Sequence, residues 1–166
     1  MADSIERRAS RVEVRADGRR IVGLAVPWGH TETCEAARCG QREAFEPYSV
    51  LAPTVGLRIT ADHDDGKVLA EGRAAVSPRD TAKGGEVRAT LPEGELQDRV
   101  LADVRAGKRG FSIEFRATEQ RIRDGVRSIV AAVVETVSLV TSPAYRTATA
   151  EVRSRQDARR ELLPWV

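Results

Sequence analysis

"KRGFSIEF", residues Lys108 to Phe115, is the stretch from which the rest of the chain is read. Phe111, Ile113 and Phe115 alternate with Ser112 and Glu114, the two-residue period of a half-buried strand. The chain holds three phenylalanines, Phe45, Phe111 and Phe115, so two of them anchor this one segment. Upstream, residues 93–106 place Leu96, Val100, Leu101 and Val104 on one helical face, and Gly107 sits where a C-terminal cap belongs. A helix therefore leads straight into the strand. Downstream, "FRATEQRIRDGVRSIVAAVVETVSLVT" predicts a hairpin turning at Asp124-Gly125 into a long apolar strand.

The same reading extends towards both ends. Residues 11–26 predict two strands joined by a tight turn at Asp17-Gly18. From Pro27 to about Gly40 no periodicity survives, as in a surface loop. "REAFEPYSVLA" predicts a short helix that Pro47 ends or kinks. "TVGLRITADHDD" predicts a strand entering an acidic turn at Asp64-Asp65-Gly66. "KVLAEGRAAVSP" and "GEVRATLP" predict two further strands around a Lys83-Gly84-Gly85 loop. The sum is a single α+β domain over residues 1–150, an antiparallel sheet or barrel with one clear helix and short flanking helices, followed by a charged tail, 151–166.

Composition narrows the function. The 166 residues suit one domain with a real core. Their 27 Lys+Arg nearly balance 25 Asp+Glu, and no basic run interleaves with aromatics, so no nucleic-acid partner is expected. The longest apolar run, "SIVAAVVETVSLV", is broken by Glu135 and too short for a bilayer, and "MADSIERRASR" has no apolar centre of a secretion signal. A soluble, intracellular protein without a membrane partner is the expectation. Two cysteines, Cys34 and Cys39, make no disulfide framework. With His30 they match no zinc spacing and lack a fourth ligand, so neither metal nor cofactor is expected.

Three side chains carry the chemistry. Ser112 is either a solvated strand hydroxyl or a nucleophile held still between aromatic anchors. His63, in "TADHDDG", is either a solvated turn residue or a base whose pKa lies near neutrality, with carboxylates nearby to favour its imidazolium. Glu135 shares a face with Val133, Val137 and Leu139 if strict alternation holds. A carboxylate there must be paired or protonated, unless a bulge turns it outwards. A strand carboxylate aimed at a histidine is how a serine-type triad orients its base. Ser138 and Ser142 are read as strand and turn hydroxyls.

These landmarks, in this order, resemble the prohead (capsid maturation) proteases of HK97-like tailed bacteriophages. The resemblance covers about residues 20–150. "IVGLAVPW" matches a Gly-containing strand, and "REAFEP" matches a Gly-Ala-Phe segment with Glu43 in place of Gly. "ITADHDDGKVLAEG" matches a strand ending in His-Asp, with Gly72 after the next strand. "GFSIEF" matches a Gly-x-Ser-x-Gly-Phe strand with Glu114 in place of the second Gly, and "ETVSLVTSPAY" matches Glu-Val-Ser-Leu-Val followed by Pro-Ala.

The resemblance implies Ser112 as nucleophile, His63 as general base and Glu135 as orienting acid. It also implies kinship with herpesvirus assembly proteases, whose second histidine replaces the acid; His30 is then the rival third member. Backbone N–H groups near Ser112, or the side chains of Arg109 or Arg116, would serve the oxyanion. The implied partners are the major capsid protein, its scaffold domain and the protease itself, within the assembling prohead in the bacterial cytoplasm. The rival function is an inactive protease-like assembly module that binds capsid protein without cutting it.

Overall fold

The helix-to-strand passage around Gly107 is the pivot of the observed fold. The computed structural model describes residues 5–10, 15–33, 42–51 and 56–141. In chain order the first strands are β1 (Glu6–Ser10), β2 (Arg15–Asp17), β3 (Arg20–Pro27), β4 (Glu32–Thr33), β5 (Arg42–Phe45) and β6 (Val50–Leu51). Then come β7 (Arg58–Ala61), β8 (Asp64–Glu71), β9 (Val76–Asp80) and β10 (Gly84–Thr90). Helix α1 (Glu95–Arg105) precedes the long hairpin β11 (Gly110–Arg123) and β12 (Val126–Val140). Among the described residues this is a strand-dominated α+β fold with a single helix.

Strand β12 organises the larger sheet. One edge pairs antiparallel with β11, which in turn carries β1. The other edge takes three short strands in succession, all parallel: β5 at Val126–Ile129, β6 at Ala132–Val133 and β7 at Thr136–Leu139. Three register shifts interrupt the β11–β12 ladder, and such bulges bend a strand and increase its twist. The second sheet, in the order β2-β3-β10-β9, is antiparallel throughout.

One core is shared by both sheets and the helix. Phe111, Ile113 and Phe115 are buried on the inner face of β11, as their alternation requires. Phe45 meets Phe115 edge-on, with ring centroids 5.0 Å apart. Ile21, Val87 and Ala89 enter from the second sheet, and Val100, Leu101 and Val104 from the predicted face of α1. Helix α1 ends in a six-residue Schellman closure. Lys108 N–H donates to Asp103 C=O and Gly107 N–H to Val104 C=O, while Gly107 takes φ +68°. That left-handed residue turns the chain directly into β11.

Several local expectations are corrected. The segment 42–51 is two strands joined by a turn at Pro47-Tyr48, not a helix. Glu43 and Phe45 point inward while their neighbours do not, and the parallel partner that fixes them lies more than eighty residues away. The turn after β7 falls at Asp62-His63, two residues earlier than the Asp-Asp-Gly signal suggests. "KVLAEGRAAVSP" is divided by Gly72, whose φ of +87° suits glycine alone at low cost. The Asp124-Gly125 turn occurs as expected, with both residues left-handed. Cys34, Cys39, Ser142 and the tail 151–166 lie outside the described residues. No helix among the described residues is long and apolar enough to cross a membrane.

Candidate active site

Ser112, Ser138 and Thr60 form one row across three adjacent strands, since Ser112 pairs with Ser138 and Ser138 with Thr60. All three are buried, and the Thr60 and Ser138 hydroxyls are 2.6 Å apart. Three residues beyond Thr60 the chain reverses. Ala61 pairs with Asp64, leaving Asp62 (φ +53°) and His63 (φ +60°) as a two-residue hairpin loop with both residues left-handed. Aspartate and histidine enter that region more readily than most L-residues. The reversal carries the imidazole back over the row, and His63 Nε2 comes to 2.8 Å from Ser112 Oγ.

The other ring nitrogen faces a carboxylate. His63 Nδ1 lies 3.2 Å from Glu114 Oε1, an ion-pair distance, although the N–H direction is too far off line for a complete hydrogen bond. Glu114 follows Ser112 by two positions on β11, so both leave the same face of the strand. Arg7, opposite Glu114 on β1, places its Nε 2.5 Å from the same Oε1. Hydroxyl, imidazole and carboxylate thus stand in line, with the His63 and Glu114 side chains only 18% and 14% exposed.

Burial sets the charge state of the His63 imidazole. Desolvation lowers the His63 pKa from its ordinary 6.5, and the Arg7 guanidinium adds to the lowering. The Glu114 carboxylate and, more weakly, Asp62 oppose the shift without cancelling it. At neutral pH the imidazole is therefore mostly neutral. With its proton on Nδ1 facing Glu114, Nε2 is free to accept the Ser112 O–H. The arrangement can deprotonate a serine hydroxyl and stabilise the imidazolium that results.

The carboxylate of Glu135, the expected third member, is engaged elsewhere. The β11–β12 register passes from Glu114↔Thr136 to Phe115↔Val134, so Glu135 is the unpaired residue of a bulge. Strict alternation fails there. Val134 takes the inward position, and the Glu135 carboxylate turns to the Arg116 guanidinium. That pairing also occupies one of the two arginines considered for an oxyanion. The other, Arg109, bonds Asp62, Asp103 and the Leu139 carbonyl. His30 is exposed, and no hydrogen bond or ion pair joins it to His63 among the described residues.

Glu114 is the residue that sequence reasoning missed. Its signal was present in the alternation that puts residues 112 and 114 on one face, but it was read as a substitution for glycine. An apolar cavity among the described residues lies elsewhere. Ala25, Val50, Val87, Ile113 and Val134 line it, so it opens on the opposite face of β11 from Ser112.

No curated protein and no solved structure matches the chain at a significant level. The family model described as caudovirus prohead serine protease matches residues 4–161, nearly the whole sequence. The chain belongs to the caudovirus prohead serine protease family.

Proposed function

We propose that the protein is a serine endopeptidase that trims capsid-shell proteins during prohead maturation. The observation that carries this reading is the 2.8 Å approach of His63 Nε2 to Ser112 Oγ, between residues 49 positions apart in the chain. Ser112 is the nucleophile. His63 takes its proton as Oγ attacks the peptide carbonyl, and returns that proton to the leaving amine. Water then repeats the cycle on the acyl-enzyme, with His63 again as base. Glu114, rather than Glu135, holds the imidazole and balances its charge.

Family membership supports the substrate class: the scaffold domain of the major capsid protein, and the protease's own chain. The reaction would take place inside the assembling prohead in the host cytoplasm, on a fold akin to that of herpesvirus assembly proteases. Ser112 is only 2% exposed, so a substrate carbonyl reaches Oγ after the surface around it opens. Residues 1–150 would form the protease domain and 151–166 a separable tail. Co-expression with the cognate capsid protein tests the proposal. A shortened capsid band that disappears with Ser112→Ala is expected. Full-length capsid with both versions overturns it and leaves a non-cleaving assembly module.

A further inference from the structure

Outside the three reacting side chains, one buried cation stands out. The Arg109 side chain is 8% exposed and has carboxylates on two sides. Its Nε donates to Asp103 Oδ2 at 3.0 Å, and its Nη1 lies 3.0 and 3.1 Å from the two oxygens of Asp62. Nη1 also reaches the Leu139 carbonyl at 2.9 Å. Three elements thus meet on one guanidinium: the end of α1, the end of β12, and the turn that carries His63. Asp62 is tied twice more, by its own N–H to the Leu139 carbonyl at 3.1 Å and by the Thr141 N–H to its Oδ1 at 3.3 Å.

Asp62 and His63 are consecutive non-glycine residues in left-handed backbone, a conformation that persists only where surrounding contacts over-determine it. The β7–β8 ladder around them is itself irregular, with register shifts on both sides of Thr60. The Ala61–Asp64 pair closes the turn, and the ties on Asp62 reinforce it where the ladder behind is irregular. Arg109 is delivered by the Schellman closure of α1 and lies three residues before Ser112, so the element that positions the nucleophile also grips the turn that positions the base.

From this geometry we infer that Arg109 is a positioning residue for catalysis, clamping Asp62 so that the His63 imidazole is held on Ser112. The inference rests on the reading of Ser112 and His63 given above, and it concerns how their alignment is maintained. A planar fork is needed, because one guanidinium reaches Asp62, Asp103 and a carbonyl together. A lysine ammonium carries the charge but cannot span all three.

The test uses the full chain and two readouts, one independent of activity. The imidazole ring signal of His63 is followed by NMR, and the rate of Ser112 modification by a fluorophosphonate is followed by mass spectrometry. Variants are Arg109→Lys and Asp62→Gly. The second keeps a left-handed turn accessible and removes only a half-exposed side chain, so it reports even if the first folds poorly. Asp62→Asn, which still accepts hydrogen bonds and tolerates the turn, serves as the conservative rescue.

Both disruptive variants should shift the His63 ring signal towards that of an unrestrained histidine and slow maximal modification at least tenfold. The probe's half-saturating concentration should be unchanged, the loss should persist at high pH, and Asp62→Asn should recover most of the rate. An unchanged ring signal in Asp62→Gly, or a loss that disappears at high pH, overturns the clamp. A wild type that never labels at Ser112, while the ring signal still moves, instead overturns the serine nucleophile and leaves the clamp standing.

Discussion

His63 Nδ1 stands 3.2 Å from the Glu114 carboxylate, and Glu114 leaves the same strand face as Ser112, two residues before it. In the proposed mechanism the orienting carboxylate and the nucleophile therefore share one strand, and only the base comes from a different element. Glu114→Gln should lower the cleavage rate about a hundredfold, within the range that positioned acid–base groups contribute. Glu135→Gln should change it by less than about threefold, since Glu135 pairs with Arg116 at a bulge. Steady-state cleavage of a capsid-derived peptide by the two variants checks this. The reverse ranking would restore Glu135 as the orienting acid.

The pH dependence follows from the lowered pKa of His63. The proposed mechanism requires the neutral imidazole, so the acid limb of kcat/KM should lie below pH 6.5, the ordinary histidine value. Arg7→Gln removes a contribution that lowers the pKa and should move the limb to higher pH; Glu114→Gln removes one that raises it and should move the limb lower. Stability has the same sign. Below pH 6.5 the unfolded chain binds the proton more readily than the folded one, so stability present above 6.5 is lost as pH falls towards the folded-state value. Urea unfolding of Ser112→Ala across pH 5 to 8 measures it.

The aromatic anchors of β11 are structural. Phe115 is fully buried and meets Phe45 at 5.0 Å. Phe115→Ala should destabilise the fold by about 3–5 kcal/mol, the usual range for truncating a buried phenylalanine. Denaturant unfolding reads this directly. A loss below about 1 kcal/mol would mean that the strand's inner face is not packed as described.

Glu43 takes part in a buried ion pair. Arg127 Nη1 lies 2.9 Å from Glu43 Oε2, with the two side chains 12% and 2% exposed, and the same guanidinium binds Glu6 of β1. Arg127→Met should cost about 3–5 kcal/mol, because it strips a buried carboxylate of its guanidinium. Replacing Glu43 by Met as well should recover most of that loss. Thermal or urea unfolding of the single and double variants gives the comparison.

Particular residues show why part of this molecule was legible in advance. The alternation at 111–115, the apolar face of α1, the Gly107 cap and the Asp124-Gly125 turn are local signals, and each forms where its pattern lies. The strand at 42–45 was misread because its partner on β12 is remote, and a four-residue segment without that partner has no period of its own to display. The turn at Asp62-His63 was misplaced because the Asp-Asp-Gly triplet is the stronger local turn signal. Strand pairing prevails over it, since Asp64 is already the partner of Ala61.

For the site, the order of residues alone determined that a hydroxyl would sit on a well-anchored strand and an imidazole near a turn. It could not choose the carboxylate. A single extra residue in β12 rotates Glu135 out of the phase that alternation assigns, and a bulge of this kind is defined by the register between two strands, not by the composition of either. The meeting of Ser112 with His63, and the place of Glu114 behind it, were decided only when three strands aligned their residues in one row and a left-handed turn folded back across it.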